Sequence, residues 1–196
     1  MSDSFLRDLR AAGAAGTPIV CVVTHEEARL RALVGEAFPG TRIVDWTVTR
    51  GWSDGEATCE PLAGVAAAMR GGEVGITRIM LDLHPWLDDA RVVRALRDLT
   101  AVARKTPLVL AMPAAKLPPE LDRDARFLTL PLPGVTEVGA AFDALLAGSA
   151  VRWPRDQFVR AALGLTLNEA SRAFRLARAI PDRHEALQRL IAEKAG

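Results

Sequence analysis

The chain has 196 residues, 49% of them hydrophobic and 25% charged, with a formal net charge of +1. That length admits one medium domain or an α/β domain with a small appendage, and the near-neutral balance provides no global field to gather nucleic acid or an anionic membrane surface. Two cysteines without metal-ligand spacing argue against a disulfide framework or a zinc site and for a reducing, cytoplasmic setting; no window of the sequence reaches membrane-spanning length, and MSDSFLRDLR lacks the apolar core of a signal peptide.

The first element expected is a short amphipathic helix over residues 3–12, with Phe5, Leu6 and Leu9 on one side. A buried strand, Ile19 to Val23, then turns directly into a helix. Thr24 and Glu27 have capping-box spacing, which predicts that this helix starts at Thr24. A second strand is expected over 42–48 (RIVDWTV), followed by the polar stretch TRGWSDGEAT and a helix from about Glu60 to Met69. The third strand is TRIMLDL, 77–83. The helix after it carries Val92, Val93, Leu96, Leu99 and Val102 at helical spacing. PLVLAM (107–112) and RFLTLPL (126–132) supply strands four and five.

Apolar strands alternating with amphipathic helices predict a parallel sheet covered on both faces, and right-handed crossovers restrict it to a doubly wound layer. After Pro133 the pattern is helical only: 135–147, about 155–163, 166–178 and 183–194. Thr166 and Glu169 form a second capping box. The expected plan is therefore an α/β domain over 1–133 and a small helical lobe over 134–196. The last helix has no terminator but the final Gly, so the natural chain is expected to run on.

Ligands of an open parallel sheet bind beyond the carboxyl ends of its strands. Those ends offer Thr24, His25 and Glu26, then Thr49 and Arg50, then Asp82 and His84. ATP hydrolysis needs a glycine-rich loop with a lysine after the first strand. The chain has VVTHEEARL there, and Lys105, Lys116 and Lys194 are its only lysines, none of them preceded by glycine. Glu26 and Glu27 stand at the positive end of the helix dipole, where a phosphate would meet carboxylates. Asp82 occupies the place of a metal-holding acid, but without a phosphate loop its simplest reading is a hydrogen-bond acceptor for nearby loop amides.

Asp82, His84 and His25, with Asp88 or Asp89, present a ligand set for a metal- or nucleotide-dependent enzyme as an alternative. Pro85 predicts an extended His84. Asp88 and Asp89 have a structural explanation as N-cap and first-turn acids of the following helix. The loop with Arg50 and Trp52 reads in two ways: as an exposed contact surface, or as a surface loop whose tryptophan folds back on the core.

Five segments, IVCVVTHEEARL, VDWTVTRG, IMLDLHPWLDDARVVRALRDL, LPPELDRDARFLTLPLPG and ALGLTLNEASRAF, together resemble the amino-terminal half of the AAA+ ATPases encoded by conserved plastid and cyanobacterial open reading frames. The resemblance runs from Pro18 to Ala192. It implies a degenerate AAA+ module without a P-loop: a five-stranded parallel sheet of order 5-1-4-3-2 and a helical lid, with ATP and Mg used only by a second module downstream. It implies no catalytic, cofactor-binding or metal-binding residue in this chain. The positions it marks are Thr49, Arg50 and Gly51, Asp82, His84 and Pro85, Asp88 and Asp89, and Thr166 to Glu169. The function expected is a non-catalytic assembly, regulatory or partner-binding module. Its partners would be an AAA+ catalytic module or another protein, in a parent able to form a ring, with neither nucleic acid nor membrane engaged.

Overall fold

The structure is a computed structural model and describes residues 2–55, 58–70, 75–102, 104–147 and 153–195. Two compact units result: Asp3–Leu130, and Pro131–Gly196 together with Met1–Ser2.

In the first unit, helix α1 (Ser2–Ala14) precedes strand β1 (Ile19–Val23), helix α2 (Glu27–Ala37), strand β2 (Arg42–Thr47) and a two-residue strand β3 (Gly51–Trp52). Helix α3 (Pro61–Arg70), strand β4 (Ile76–Leu81), helix α4 (Ala90–Thr100), strand β5 (Leu108–Met112) and strand β6 (Ala125–Thr129) complete it. The sheet order is β3-β2-β4-β5-β1-β6. Its five parallel strands stand in the expected 5-1-4-3-2 order. The short β3 pairs antiparallel with β2, through Trp46 opposite Trp52 and Thr47 opposite Gly51, and adds a sixth strand at one edge.

Burial on both faces explains why the central strands read as unbroken apolar runs. Ile19 and Cys21 of β1, Leu108 and Leu110 of β5 and Met80 of β4 face the α3–α4 side. Val20 and Val22, Val109 and Ala111, and Ile79 and Leu81 face the α1–α2 side. The fifth expected strand was to reach residue 132, but β6 stops at Thr129. Its only ladder partner among the described residues is β1, which ends at Val23, so Thr129 is the last paired position. One more bond, from the Leu130 amide to the Val23 carbonyl, closes that end before Pro131, which has no N–H to give.

The second unit packs helices α5 (Val135–Leu146), α6 (Arg155–Ala162), α7 (Leu167–Arg178) and α8 (Arg183–Ala195) around Phe142, Phe158 and Phe174. Trp153 stacks on Phe158 with ring centres 4.4 Å apart, and Phe142 meets Phe174 edge-on at 5.2 Å. The Thr166–Glu169 capping box forms as expected: the Thr166 hydroxyl accepts from the Glu169 amide and the Glu169 carboxylate from the Thr166 amide. No helix among the described residues is long and apolar enough to cross a membrane.

Candidate functional site at the carboxyl ends of the strands

The junction of β1 and α2 is where an open α/β sheet of this topology would hold a phosphate. The Thr24 amide donates to the Met112 carbonyl at 2.9 Å, one bond beyond the end of β1. Its hydroxyl accepts from the Glu26 amide at 2.9 Å, making a small turn. The helix starts at Glu27 with Glu26 as N-cap, and the expected Thr24–Glu27 capping box does not form.

Glu26 turns inward. Its carboxylate accepts from the Arg29 guanidinium at 2.8 Å, and each side chain is only 5% exposed. A buried carboxylate–guanidinium pair therefore sits at the head of α2. Sequence reading singled out Glu26 for its place on the dipole but missed Arg29. The i, i+3 spacing was a usable signal; the burial was not.

The β4 end is less organised than its sequence suggests. Asp82 has φ +55°, a left-handed conformation uncommon for a residue other than glycine. Its amide donates to the Ala111 carbonyl, while its carboxylate points outward, 57% exposed. The Asp82 carboxylate was expected to collect loop amides; among the described residues it makes no such bond. His84 begins a one-turn 3-10 helix, His84–Trp86, in place of the extended residue expected before Pro85. Its Nδ1 lies 3.8 Å from the nearer Asp82 oxygen, too far for a hydrogen bond. His25 is exposed. Among the described residues no three His, Cys, Asp or Glu side chains gather as a metal site would require. Asp82 and His84 are thus near neighbours, and His25 does not complete a cluster with them.

Asp88 and Asp89 divide the role expected of both. Asp89 is the N-cap of α4, accepting from the Arg91 amide at 2.8 Å. Hydrogen bonds from the Arg91 side chain and backbone pull its pKa down to about 2. Asp88 lies ahead of the helix and pairs with Lys116 at 2.6 Å.

The β2–β3 hairpin separates the two readings of the Arg50–Trp52 loop. Its Glu56 and Ala57 lie outside the described residues. Trp52 is core, 2% exposed. Its indole N–H donates to the Gly64 carbonyl at 3.1 Å, and the Arg78 guanidinium lies 4.7 Å above its ring. As an exposed anchor Trp52 is therefore corrected to a buried one, because β3 turns its ring toward α3. Trp46 anchors the other strand, with its indole N–H 2.5 Å from the Thr58 carbonyl.

Between these anchors Gly51, at φ +70°, closes the turn Val48–Arg50 in a conformation glycine reaches without strain. Arg50 does face solvent, its side chain 67% exposed, with one guanidinium nitrogen 3.6 Å from Asp45. Asp45 also accepts from Arg31 and from the Ser53 hydroxyl. Sequence reading passed over Asp45 and Arg31. The polar position in RIVDWTV marked Asp45 as facing away from the α3 side, but nothing in the sequence set its partners.

The family described as "SpoVK-like AAA ATPase, N-terminal domain" matches residues 5–130. The "Uncharacterized AAA domain-containing protein ycf46" of Guillardia theta is 25% identical over 183 residues, a match covering 86% of this chain and 36% of that protein. Among solved structures, RuvB of Thermotoga maritima superposes with a TM-score of 0.61 at 14% identity, covering 100% of this chain and 70% of the other. PCH-2 of C. elegans gives 0.62 at 8%, with coverages of 99% and 67%. The FIGL-1 AAA domain, solved in complex with ADP, gives 0.60 at 13%, with coverages of 99% and 80%. At these identities the likeness is one of fold.

Proposed function

The chain belongs to the family of SpoVK-like AAA ATPase N-terminal domains, and from that premise we propose that it is a non-catalytic module, one that assembles with an AAA+ catalytic module or recruits a protein partner to it. The observation that carries the proposal is the buried Glu26–Arg29 pair at the head of α2, with the two groups 2.8 Å apart. A nucleotide bound in the usual way would place its phosphates on the free amides of that helix start. Here the Glu26 amide is committed to the Thr24 hydroxyl, and the exposed Glu27 carboxylate stands in the first turn of the helix, where it would repel a phosphate. Arg29 is the one cation in this turn, and its guanidinium is turned onto Glu26. VVTHEEARL contains no glycine to let a backbone approach a phosphate and no lysine to reach one.

Docking to a partner is the role left to such a module. The exposed Arg50 tip of the β2–β3 hairpin, carried by two buried tryptophans, is the part of the strand-end face best built for it. The chain spans 36% of the length of its ycf46 relative, so the remainder of a parent protein of that kind has room for the catalytic module. A ring-forming parent follows from the same family context.

A ligand that binds only the folded chain raises its melting temperature, by an amount that grows with the logarithm of ligand concentration over Kd. Thermal melts in millimolar Mg-ADP should coincide with melts in Mg alone. A rise of several degrees would contradict the non-catalytic reading.

A further inference from the structure

The sheet ends differently at its two edges. At one, β3 has only two residues, too few to serve as a template for another strand. At the other, β6 has five, with no proline and no lysine among them to discourage pairing. β6 runs parallel to β1, and the backbone groups of successive residues point to opposite sides of a strand. The Leu130 amide donates to the Val23 carbonyl, so Arg126 and Leu128 direct their backbone groups to β1 as well, and Phe127 and Thr129 direct theirs outward. Among the described residues nothing hydrogen-bonds to the outward N–H or C=O of Phe127 or Thr129.

The side chains alternate too. Leu128 packs on the α1–α2 side, which places Arg126 there, whereas Phe127 lies on the α3–α4 side beside Cys21 of β1. Phe127 is outside the core on that side and 42% exposed. Arg126 is the single charge in β6; it is exposed and forms no ion pair among the described residues. In the ladder it stands opposite Val20, which offers no counter-charge. A cross-strand carboxylate for Arg126 can therefore come only from beyond the edge.

We propose that the outer edge of β6 is a docking site for an extended segment of a partner protein, added as a further strand, with an acidic side chain beside Arg126 and apolar ones beside Phe127. The proposal rests on the reading of the chain as a partner-binding module and gives it a surface at the edge of the sheet away from the hairpin. Main-chain bonds to Phe127 and Thr129 supply the affinity, and the alternating side chains supply the selectivity. A second copy of this chain fits the edge less well. Two β6 strands paired about a two-fold axis at Phe127 set Thr129 opposite Ala125 and Arg126 opposite Leu128, so neither arginine meets a carboxylate.

The test uses two end-blocked pentapeptides, N-acetyl-Thr-Val-Glu-Val-Thr-amide and N-acetyl-Thr-Val-Lys-Val-Thr-amide, titrated into the full chain and followed by amide resonances and hydrogen exchange. The glutamate peptide should shift the amides of Phe127 and Thr129 and slow their exchange. Those of Arg126 and Leu128, already bonded to β1, should not slow further. The lysine peptide should bind about tenfold more weakly, and Arg126→Gln should remove the difference between the two. Phe127→Thr, which keeps a good strand former, should weaken both. Thr129→Pro deletes an amide that bonds nothing in the folded chain, so it should melt nearly as wild type does while lowering affinity about tenfold. Arg97→Gln, on the exposed surface of α4, should change nothing.

Equal binding of the two peptides, slowing centred on other amides or no change at millimolar peptide would overturn the proposal. A large fall in the melting temperature of Thr129→Pro would do the same, by showing that the Thr129 amide is not free. So would slowing of Phe127 and Thr129 without peptide as protein concentration rises, since the edge would then belong to a second copy. Shifts of the Thr24 and Glu26 amides on adding Mg-ADP would instead defeat the non-catalytic reading and leave the strand site standing.

Discussion

Glu26 and Arg29 show how much one pair of side chains decides at the β1–α2 junction. Their charged groups are 2.8 Å apart and almost wholly shielded from water. Removing one partner strands the other charge in a place that cannot solvate it, a loss of about 3–5 kcal/mol, whereas replacing both by apolar residues of similar size is often close to neutral. Chemical denaturation should therefore show Glu26→Leu and Arg29→Met each strongly destabilising and the double variant much less so. Additive losses in the double variant would mean that the two residues act separately. By the same reasoning the pair contributes little to net stability.

Asp89 makes a different, pH-dependent contribution. The Arg91 side chain and backbone hold its carboxyl at about 2, below the ordinary value of 3.8. A carboxylate whose pKa falls on folding stabilises the fold fully above its unfolded pKa and loses that effect as pH falls through the folded one. Wild type should accordingly be more stable than Asp89→Asn at neutral pH, with the gap closing as pH drops from about 3.8 to about 2. A gap that stays constant through this window in acid titrations followed by circular dichroism would show that the cap does not depend on ionised Asp89.

At the scale of elements, the β2–β3 hairpin and α3 depend on a close approach. A Cβ built on Gly64 would lie 2.6 Å from the Trp46 indole nitrogen and 2.8 Å from its Cε2. Gly64→Ala should push that ring out of its seat and, as an overpacking change, cost about 1–3 kcal/mol in spite of alanine's better helix propensity. A melting temperature equal to or above wild type would show that α3 can move away freely.

This hairpin is also where sequence reading reached furthest and then stopped. RIVDWTV was legible as a strand, and Arg50 as exposed. The polar TRGWSDGEAT stretch gave no sign that two of its residues pair back on β2, because a two-residue strand has no period to detect. Trp52 carried two readings because a tryptophan in a loop sits equally well in an interface or in a core; its neighbours on α3 settle the matter. Thr24 misled for a related reason. The S/T-x-x-E spacing is real, but the Thr24 hydroxyl accepts from the Glu26 amide rather than from Glu27, and the helix begins at Glu27.

For the whole molecule, the topology was legible because it follows from few causes. Buried parallel strands, amphipathic crossovers and their handedness leave little choice of order, and the observed sheet keeps 5-1-4-3-2 with β3 added at its edge. The candidate site was less legible. Asp82, His84 and His25 share the carboxyl-end rim in sequence order, but the left-handed Asp82 sends its carboxylate to solvent, and proximity along strands did not become a cluster. Arg31 and Asp45 entered only with three-dimensional structure, because their partners come from other elements, whereas the Glu26–Arg29 spacing was visible in sequence and only its burial was not.

The central claim is that the β1–α2 junction of this AAA ATPase family domain is filled by the protein's own ion pair and leaves no place for phosphates. Calorimetric titration of Mg-ATP into the intact chain at low salt tests it most directly, since low ionic strength favours any residual anion attraction. Heats indistinguishable from dilution are the predicted result. Saturable binding with a micromolar Kd would contradict the account.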